Sequence, residues 1–312
     1  MLNDPKLALC ANRNILPKNN EISGSPEEWF SNDLLSAQKI LGMNLDFFVN
    51  WSSTPNELTP VIWIKQVLSP NVRYQDFLVD PKAQLVARFG RVYLQSLSKF
   101  TNTCGLEASF VIIDDEQDWT SDTSEICLVK LIGTDDFTPQ LITIGIFKGL
   151  IKQYSGGPVN IGKKGLIYGT TNLECMLSHT DSLYPGDMDL LLLDDNSVPL
   201  AILEFKKHNL SADVSAQTLS KYYPMPDGRK YDRLAIFREY ILKSSGTNIP
   251  IIVVFYTTYA TGEYFRVEVL TGAAGSLKPK KAGKVKSPTD KSRKEFLRVA
   301  NLLPKIINLY TS

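Results

Sequence analysis

Pro185-Gly186-Asp187-Met188-Asp189 leads into Leu190 to Leu193, and after the turn Asp194-Asp195-Asn196-Ser197 the chain resumes as Leu200-Ala201-Ile202-Leu203-Glu204-Phe205-Lys206. An aspartate thus stands at the mouth of one apolar strand and a Glu-x-Lys on the next. Two carboxylates and a lysine on adjacent strands can hold a divalent cation and activate a water, the minimum for metal-assisted phosphodiester hydrolysis. Side chains alternate along a strand, so Ile202, Glu204 and Lys206 share one side while Ala201, Leu203 and Phe205 share the other. In such a site Asp189 and Glu204 hold Mg2+ or Mn2+ and the backbone carbonyl of Phe205 adds a third oxygen. Lys206 orients the attacking water and neutralises charge developing on the phosphate. Charged groups set into leucine-rich strands are costly unless they have such partners.

The elements that must position these residues follow from periodicity. A helix is expected over Thr170 to Ser178, then the two strands as a hairpin, a helix from about Asp213, a helix over Tyr231 to Lys243, a buried strand over Ile249 to Tyr256 and another over Tyr264 to Leu270. Upstream, Ser25-Pro26-Glu27-Glu28 has the cap, the proline and the acids of a helix start, so a helix is expected in the Trp29 to Leu41 region. A strand or short buried helix is expected over Pro60 to Leu68, a helix from Asp80 to about Lys99, and strands over Ala108 to Ile113 and Glu125 to Ile132. Leu141 to Gln153 reads as strand, helix or a junction. Ser155-Gly156-Gly157-Pro158 is the clearest break, and it divides the chain into residues 1–154 and 155–312. No internal repeat is visible.

Composition sets bounds. With 312 residues and 43% apolar content the chain can build a substantial core. Its 34 basic and 33 acidic residues nearly cancel, so affinity for a polyanion must come from local clusters. Cys10, Cys104, Cys127 and Cys175 have no C-x-x-C spacing, which argues against a zinc site and a disulfide framework and for a reducing, cytoplasmic setting. No apolar run reaches the roughly 18 residues of a membrane span, and no export signal is visible at the start.

The pattern of Pro185-Gly186-Asp187-Met188-Asp189 with Glu204-Phe205-Lys206 resembles the PD-(D/E)xK, or restriction-endonuclease-like, nuclease superfamily. Gly186 separates the proline from Asp187, and the form Gly186-x-x-Asp189 is similar to the RecB-like branch, which favours Asp189 over Asp187 as the ligand. That branch carries Gln-x-x-x-Tyr on the following helix; here Gln217 precedes Tyr222 and Tyr223 at one residue more. Many members add an acid from the first core helix, and Glu174 stands at that place. The resemblance covers roughly residues 160 to 270. The order of strands and helices reads as an α/β fold, to which the resemblance adds a C-terminal core of a central mixed sheet flanked by helices; residues 1–154 are an N-terminal α+β region with no recognisable motif, left open to substrate selection or dimerisation. The resemblance further implies a Mg2+- or Mn2+-dependent nuclease acting on DNA, with Asp189, Glu204, Lys206 and Glu174 catalytic. A homodimer or larger complex is left open. The alternative is a non-catalytic nucleic-acid-binding or scaffold protein on a retired nuclease fold.

Lys207 reads as solvated or phosphate-facing, and Gln217 and Tyr222 as substrate contacts or ordinary helix-face residues. Lys278 to Lys286 holds five lysines and no acid in nine residues. Such a run is a solvated loop or, beside a cleft, a phosphate track through Lys280 and Lys281. Gly156-Gly157 and Gly162-Lys163-Lys164-Gly165 look like a phosphate loop, but no G-x-x-x-x-G-K-[ST], Gly-x-Ser-x-Gly or His-Glu-x-x-His occurs.

Overall fold

A computed structural model describes residues 1–5, 8–10, 20–134, 136–161, 165–166, 168–209, 213–260 and 262–311. Gly162, Lys163 and Lys164 of the glycine-lysine segment lie outside them. The strands are β1 (Leu2–Asn3), β2 (Ala8–Leu9), β3 (Leu41–Asn50), β4 (Glu57–Leu68), β5 (Glu107–Ile113), β6 (Glu125–Ile132), β7 (Asp136–Thr143), β8 (Tyr168–Gly169), β9 (Gly186–Leu193), β10 (Pro199–His208), β11 (Ile251–Thr257), β12 (Tyr264–Thr271) and β13 (Lys278–Lys286). The helices are α1 (Pro26–Trp29), α2 (Asn32–Leu35), α3 (Tyr74–Leu78), α4 (Pro81–Phe89), α5 (Arg91–Cys104), α6 (Ile144–Tyr154), α7 (Asn172–Leu177), α8 (Gly228–Ser245), α9 (Arg293–Ala300) and α10 (Leu303–Thr311). The fold is α/β, with mixed sheets flanked by helices.

The chain forms two compact units, and both are discontinuous. Unit 1 is Met1–Leu16 with Leu45–Asp187, and unit 2 is Pro17–Asn44 with Met188–Ser312. The single cut expected after residue 154 is therefore not where the units divide. Ser155 to Pro158 is a turn inside unit 1, where Gly156 and Gly157 take φ of +74° and +135°. Turn chemistry marks a change of direction, and here it marks no change of core.

In unit 1, β4 pairs antiparallel with β3 and parallel with β5. The chain makes that parallel crossover through α4 and α5, which Gly90 separates at φ +79° where one helix to Lys99 was expected. Strands β6 and β7 follow antiparallel, and Thr143 turns the chain into α6. The core gathers on Trp63, which stacks on Phe147 at 4.9 Å and meets Phe48 edge-on at 4.6 Å.

In unit 2, β10 pairs antiparallel with β9 and parallel with β11, with α8 making the crossover, and β12 and β13 follow antiparallel. The leucines of β9 and β10 alternate as the pleat requires: Leu190, Leu192 and Leu203 pack with Val254, Phe265 and Trp29. The expected helix from Trp29 to Leu41 is instead α1, α2 and a 3-10 turn over Ser36–Gln38. Asn32 causes the reversal: its side chain donates to the Gly42 carbonyl at 2.9 Å and accepts the Gly42 N–H at 2.6 Å, starting β3 where helix was expected. Likewise no helix starts at Asp213. Two 3-10 turns, Val214–Ala216 and Leu219–Lys221, occupy that stretch, and the Asp213 carboxylate caps the Ser215 N–H at 2.8 Å. The lysine run is a strand, not a loop: β13 pairs with β12, and its residues other than Val285 are exposed.

The cysteine reading is corrected. Cys10 and Cys175 form a disulfide across 165 residues of sequence, within unit 1. The pairing of β2 with β8 brings them together, a contact that spacing along the chain does not reveal. Cys104 and Cys127 are buried thiols outside that disulfide. Among the described residues no helix is long and apolar enough to cross a membrane.

Candidate active site

The last antiparallel pair of the β9–β10 ladder is Leu190 with Leu203, so Asp189 comes level with Glu204 one step further on. There the ladder ends, and the Asp189 side chain takes over its bonding by accepting the backbone N–H of Phe205 at 2.5 Å. The two motifs separated in sequence thus meet at one peptide. Glu204 is 1% exposed, and Lys230 of α8 meets its Oε1 at 2.7 Å. Lys206 pairs with Asp227, the residue preceding α8, and lies 4.5 Å over the ring of Tyr222. The start of α8 therefore supplies a counter-ion for each half of Glu-x-Lys, Asp227 from the cap position and Lys230 from the first turn.

Around this pair the polar groups form a chain. Tyr222 stacks on Phe255 at 5.9 Å and donates to Gln217 Oε1 at 2.9 Å, and Gln217 Nε2 lies 3.3 Å from His208 Nε2. Burial, then the Lys221 charge, lowers the His208 pKa and favours the neutral ring. Burial, and then the Glu204 charge, raises the pKa of Tyr231 and keeps that phenol protonated. Glu268, two strands from Glu204, is also 1% exposed and is held by Arg266 at 2.7 Å and by the Leu219 N–H at 2.8 Å. It is a buried structural ion pair.

Asp189 also lines a cleft with Glu27, Asn32, Asn44 and Phe205. Burial raises the pKa of Tyr256, with smaller contributions from Glu27 and Asp189, so both carboxylates lie within electrostatic reach of one phenol. Lys207 has its pKa lowered by burial against an opposing effect of Glu27, and it sits 6.0 Å over the Tyr256 ring. The sequence reading passed over Glu27. Its signal was present in Ser25-Pro26-Glu27-Glu28, where two acids follow a cap; Glu28 closes the capping box and Glu27 faces the cleft.

Glu174 has its own set of partners in unit 1. It belongs to unit 1, whereas Asp189, Glu204 and Lys206 belong to unit 2. There it accepts the Thr170 N–H at 2.8 Å and the Thr170 hydroxyl at 2.9 Å, and it pairs with Lys65. Lys65 Nζ also lies 3.9 Å from Asp46 and 4.5 Å over the Tyr184 ring, and Tyr184 donates to Asp46 Oδ2 at 3.1 Å. Burial pushes Asp46 up to about 7; the nearby Lys65 opposes this, and Glu174 and Asp187 add to it. For Lys65, burial works downward, but Asp46 and Glu174 outweigh it and the net shift is upward. Asp46, Lys65 and Tyr184 were not singled out in the sequence, because one charge in each of two apolar strands carries no motif. Asp187 is exposed, and Lys280 and Lys281 lie on the exposed strand β13.

Among the described residues no group of three or more His, Cys, Asp and Glu side chains is arranged to hold a metal ion. The donors at the β9–β10 junction are two carboxylates and a peptide carbonyl. They are hard oxygens of the kind Mg2+ takes; Asp189 opens on the cleft with Glu27 and Phe205, and Glu204 is buried against Lys230 of α8.

No protein-family model matches the chain, and no curated protein matches it. A solved structure described as "Crystal structure of Sex pheromone staph-cAM373 precursor" is similar at 8% identity and a TM-score of 0.19, over 88% of this chain and 100% of that one. A likeness that low carries no argument about this chain.

Proposed function

We propose that the chain is a Mg2+- or Mn2+-dependent nuclease that hydrolyses phosphodiester bonds in DNA, with its site in unit 2. The hydrogen bond from the Phe205 N–H to Asp189 carries this reading, because it draws the aspartate, Glu204 and the Phe205 carbonyl to one end of the hairpin. Asp189, Glu204 and that carbonyl hold the cation. When bound, the ion supplies Lewis acidity to the phosphate and a more acidic water. Lys206 orients the water that attacks phosphorus in line with the leaving oxygen and balances the charge that grows on the phosphate. Asp227 positions Lys206. Lys207, Gln217, Tyr222, Lys280 and Lys281 are the proposed nucleic-acid contacts.

The pairing of Lys230 with Glu204 favours a second reading, a retired nuclease fold that binds nucleic acid without cutting it. Cleavage of plasmid and single-stranded DNA in Mg2+ or Mn2+ separates the two. The nuclease reading expects cutting that Glu204→Ala and Lys206→Ala both abolish. Binding without cutting, or variants that cut as well as the parent, supports the second.

A further inference from the structure

We infer that units 1 and 2 are two copies of one module, and that the unit 1 copy keeps its own lysine ammonium where the unit 2 copy takes a divalent cation. The second clause rests on the nuclease reading; the first stands on topology.

Each unit runs in the same order: antiparallel hairpin, helical crossover, a strand parallel to the hairpin's second strand, two further antiparallel strands and a closing helix. The registers agree as well. Asp46 stands opposite Trp63 in the β3–β4 ladder, as Asp189 comes level with Glu204 beyond the last β9–β10 pair. Two residues on are Lys65 and Lys206. Trp63 then pairs with Ser109 and Ser109 with Lys130, while Glu204 pairs with Val253 and Val253 with Glu268. Each row thus crosses four strands, with an aspartate first and a lysine two residues past its second member.

Trp63 thus occupies the place of Glu204, and its indole is spent on the core. The second carboxylate of unit 1 comes instead from Glu174 on α7. The exchange of segments mirrors this: residues 17–44, which precede the first hairpin, belong to unit 2, and α7, which precedes the second, belongs to unit 1. Lys65 bridges the two acids of unit 1 with 10% of its side chain exposed. In unit 2 the equivalent Lys206 pairs with Asp227 instead, Glu204 meets Lys230 of α8 at 2.7 Å, and no lysine of the motif itself bridges the two acids.

The test is a Mn2+ titration of the full chain by calorimetry and electron paramagnetic resonance. The parent is expected to bind one ion per chain, lost in Glu204→Gln. Lys65→Met is expected to bind one ion more than the parent, and adding Glu174→Gln removes it. A parent that binds nothing sinks the nuclease reading and with it the cation of unit 2, while one ion bound by Lys65→Met still supports the lysine in place of a cation in unit 1. A parent that binds one ion through Glu204, with a folded Lys65→Met that binds no more, overturns the inference and leaves the nuclease reading standing. If Lys65→Met is unfolded alone, Mn2+ is expected to restore its circular dichroism; failure to do so also overturns the inference.

Discussion

Asp189 accepts the backbone N–H of Phe205, and through that bond a carboxylate on one strand closes the hydrogen-bond ladder of the next. An amide oxygen can make the same bond without the charge. Asp189→Asn is therefore expected to keep the melting temperature of the parent, while metal-dependent cleavage falls by more than the roughly 100-fold that outer-shell losses cost at metal sites. Asp189→Ala is expected to lose activity and also about 1–3 kcal/mol of stability, since it leaves the Phe205 N–H without its acceptor. Equal stability of the two variants would show that the bond does not hold the hairpin end.

Lys230 competes with any cation for Glu204. Its side chain is 33% exposed against 1% for Glu204, so solvent screens the lysine but not the acid. Lys230→Met is expected to tighten Mn2+ binding about tenfold, equivalent to about 1.4 kcal/mol. Calorimetry reads this directly, and weaker binding would instead assign Lys230 to holding Glu204 in place.

The Asp46 carboxyl makes stability depend on pH. Its folded pKa of about 7 lies above the ordinary 3.8, so the folded chain binds more protons than the unfolded one between those values. The stabilisation is complete below about pH 4 and is lost as pH rises through 7, with a slope of at most about 1.4 kcal/mol per pH unit. Urea unfolding from pH 4.5 to 8 checks this, and Asp46→Asn is expected to flatten the fall.

Reduction should loosen unit 1. A bridge across 165 residues has a chain-entropy ceiling of about 5 kcal/mol, with about 2–4 kcal/mol typical. Dithiothreitol is expected to lower the melting temperature of the parent and to leave a Cys10→Ser, Cys175→Ser variant unchanged. Gly169 packs here without a side chain: a Cβ would come within 3.1 Å of both the Cys10 sulfur and Glu174. Gly169→Ala is therefore expected to be destabilising as well.

If β13 tracks a phosphate backbone, Lys280→Ala with Lys281→Ala should weaken binding of duplex DNA most at low salt. The slope of log affinity against log salt is expected to fall by about 1.8, two contacts' worth. An unchanged slope would remove β13 from the interface.

Much of the hairpin was legible in the sequence. The Leu190 to Leu193 run and the alternation around Glu204 mark strands by burial pattern alone, and both formed with the expected faces. The partners of Glu174 were not legible. Glu174 has the right residue type in a helix just before the hairpin, and only the exchange of segments between units puts it beside Lys65 and leaves Glu27 in the cleft with Asp189. That exchange depends on tertiary packing, which propensity and spacing do not encode. The repeat escaped for a similar reason: strand pairing preserves it, while Trp63 at the place of Glu204 erases its motif.

The interleaving of segments also sets an order of events during synthesis. Unit 1 has all its residues once the chain has grown to Asp187, but residues 17–44 belong with strands that begin at Met188. From 44 to 188 is 144 residues, on the order of ten seconds at typical elongation rates, during which Trp29, Phe30 and Leu35 have been made and their partners have not. For that interval the nascent chain carries an apolar segment without its core, the part of the molecule a chaperone would have reason to hold.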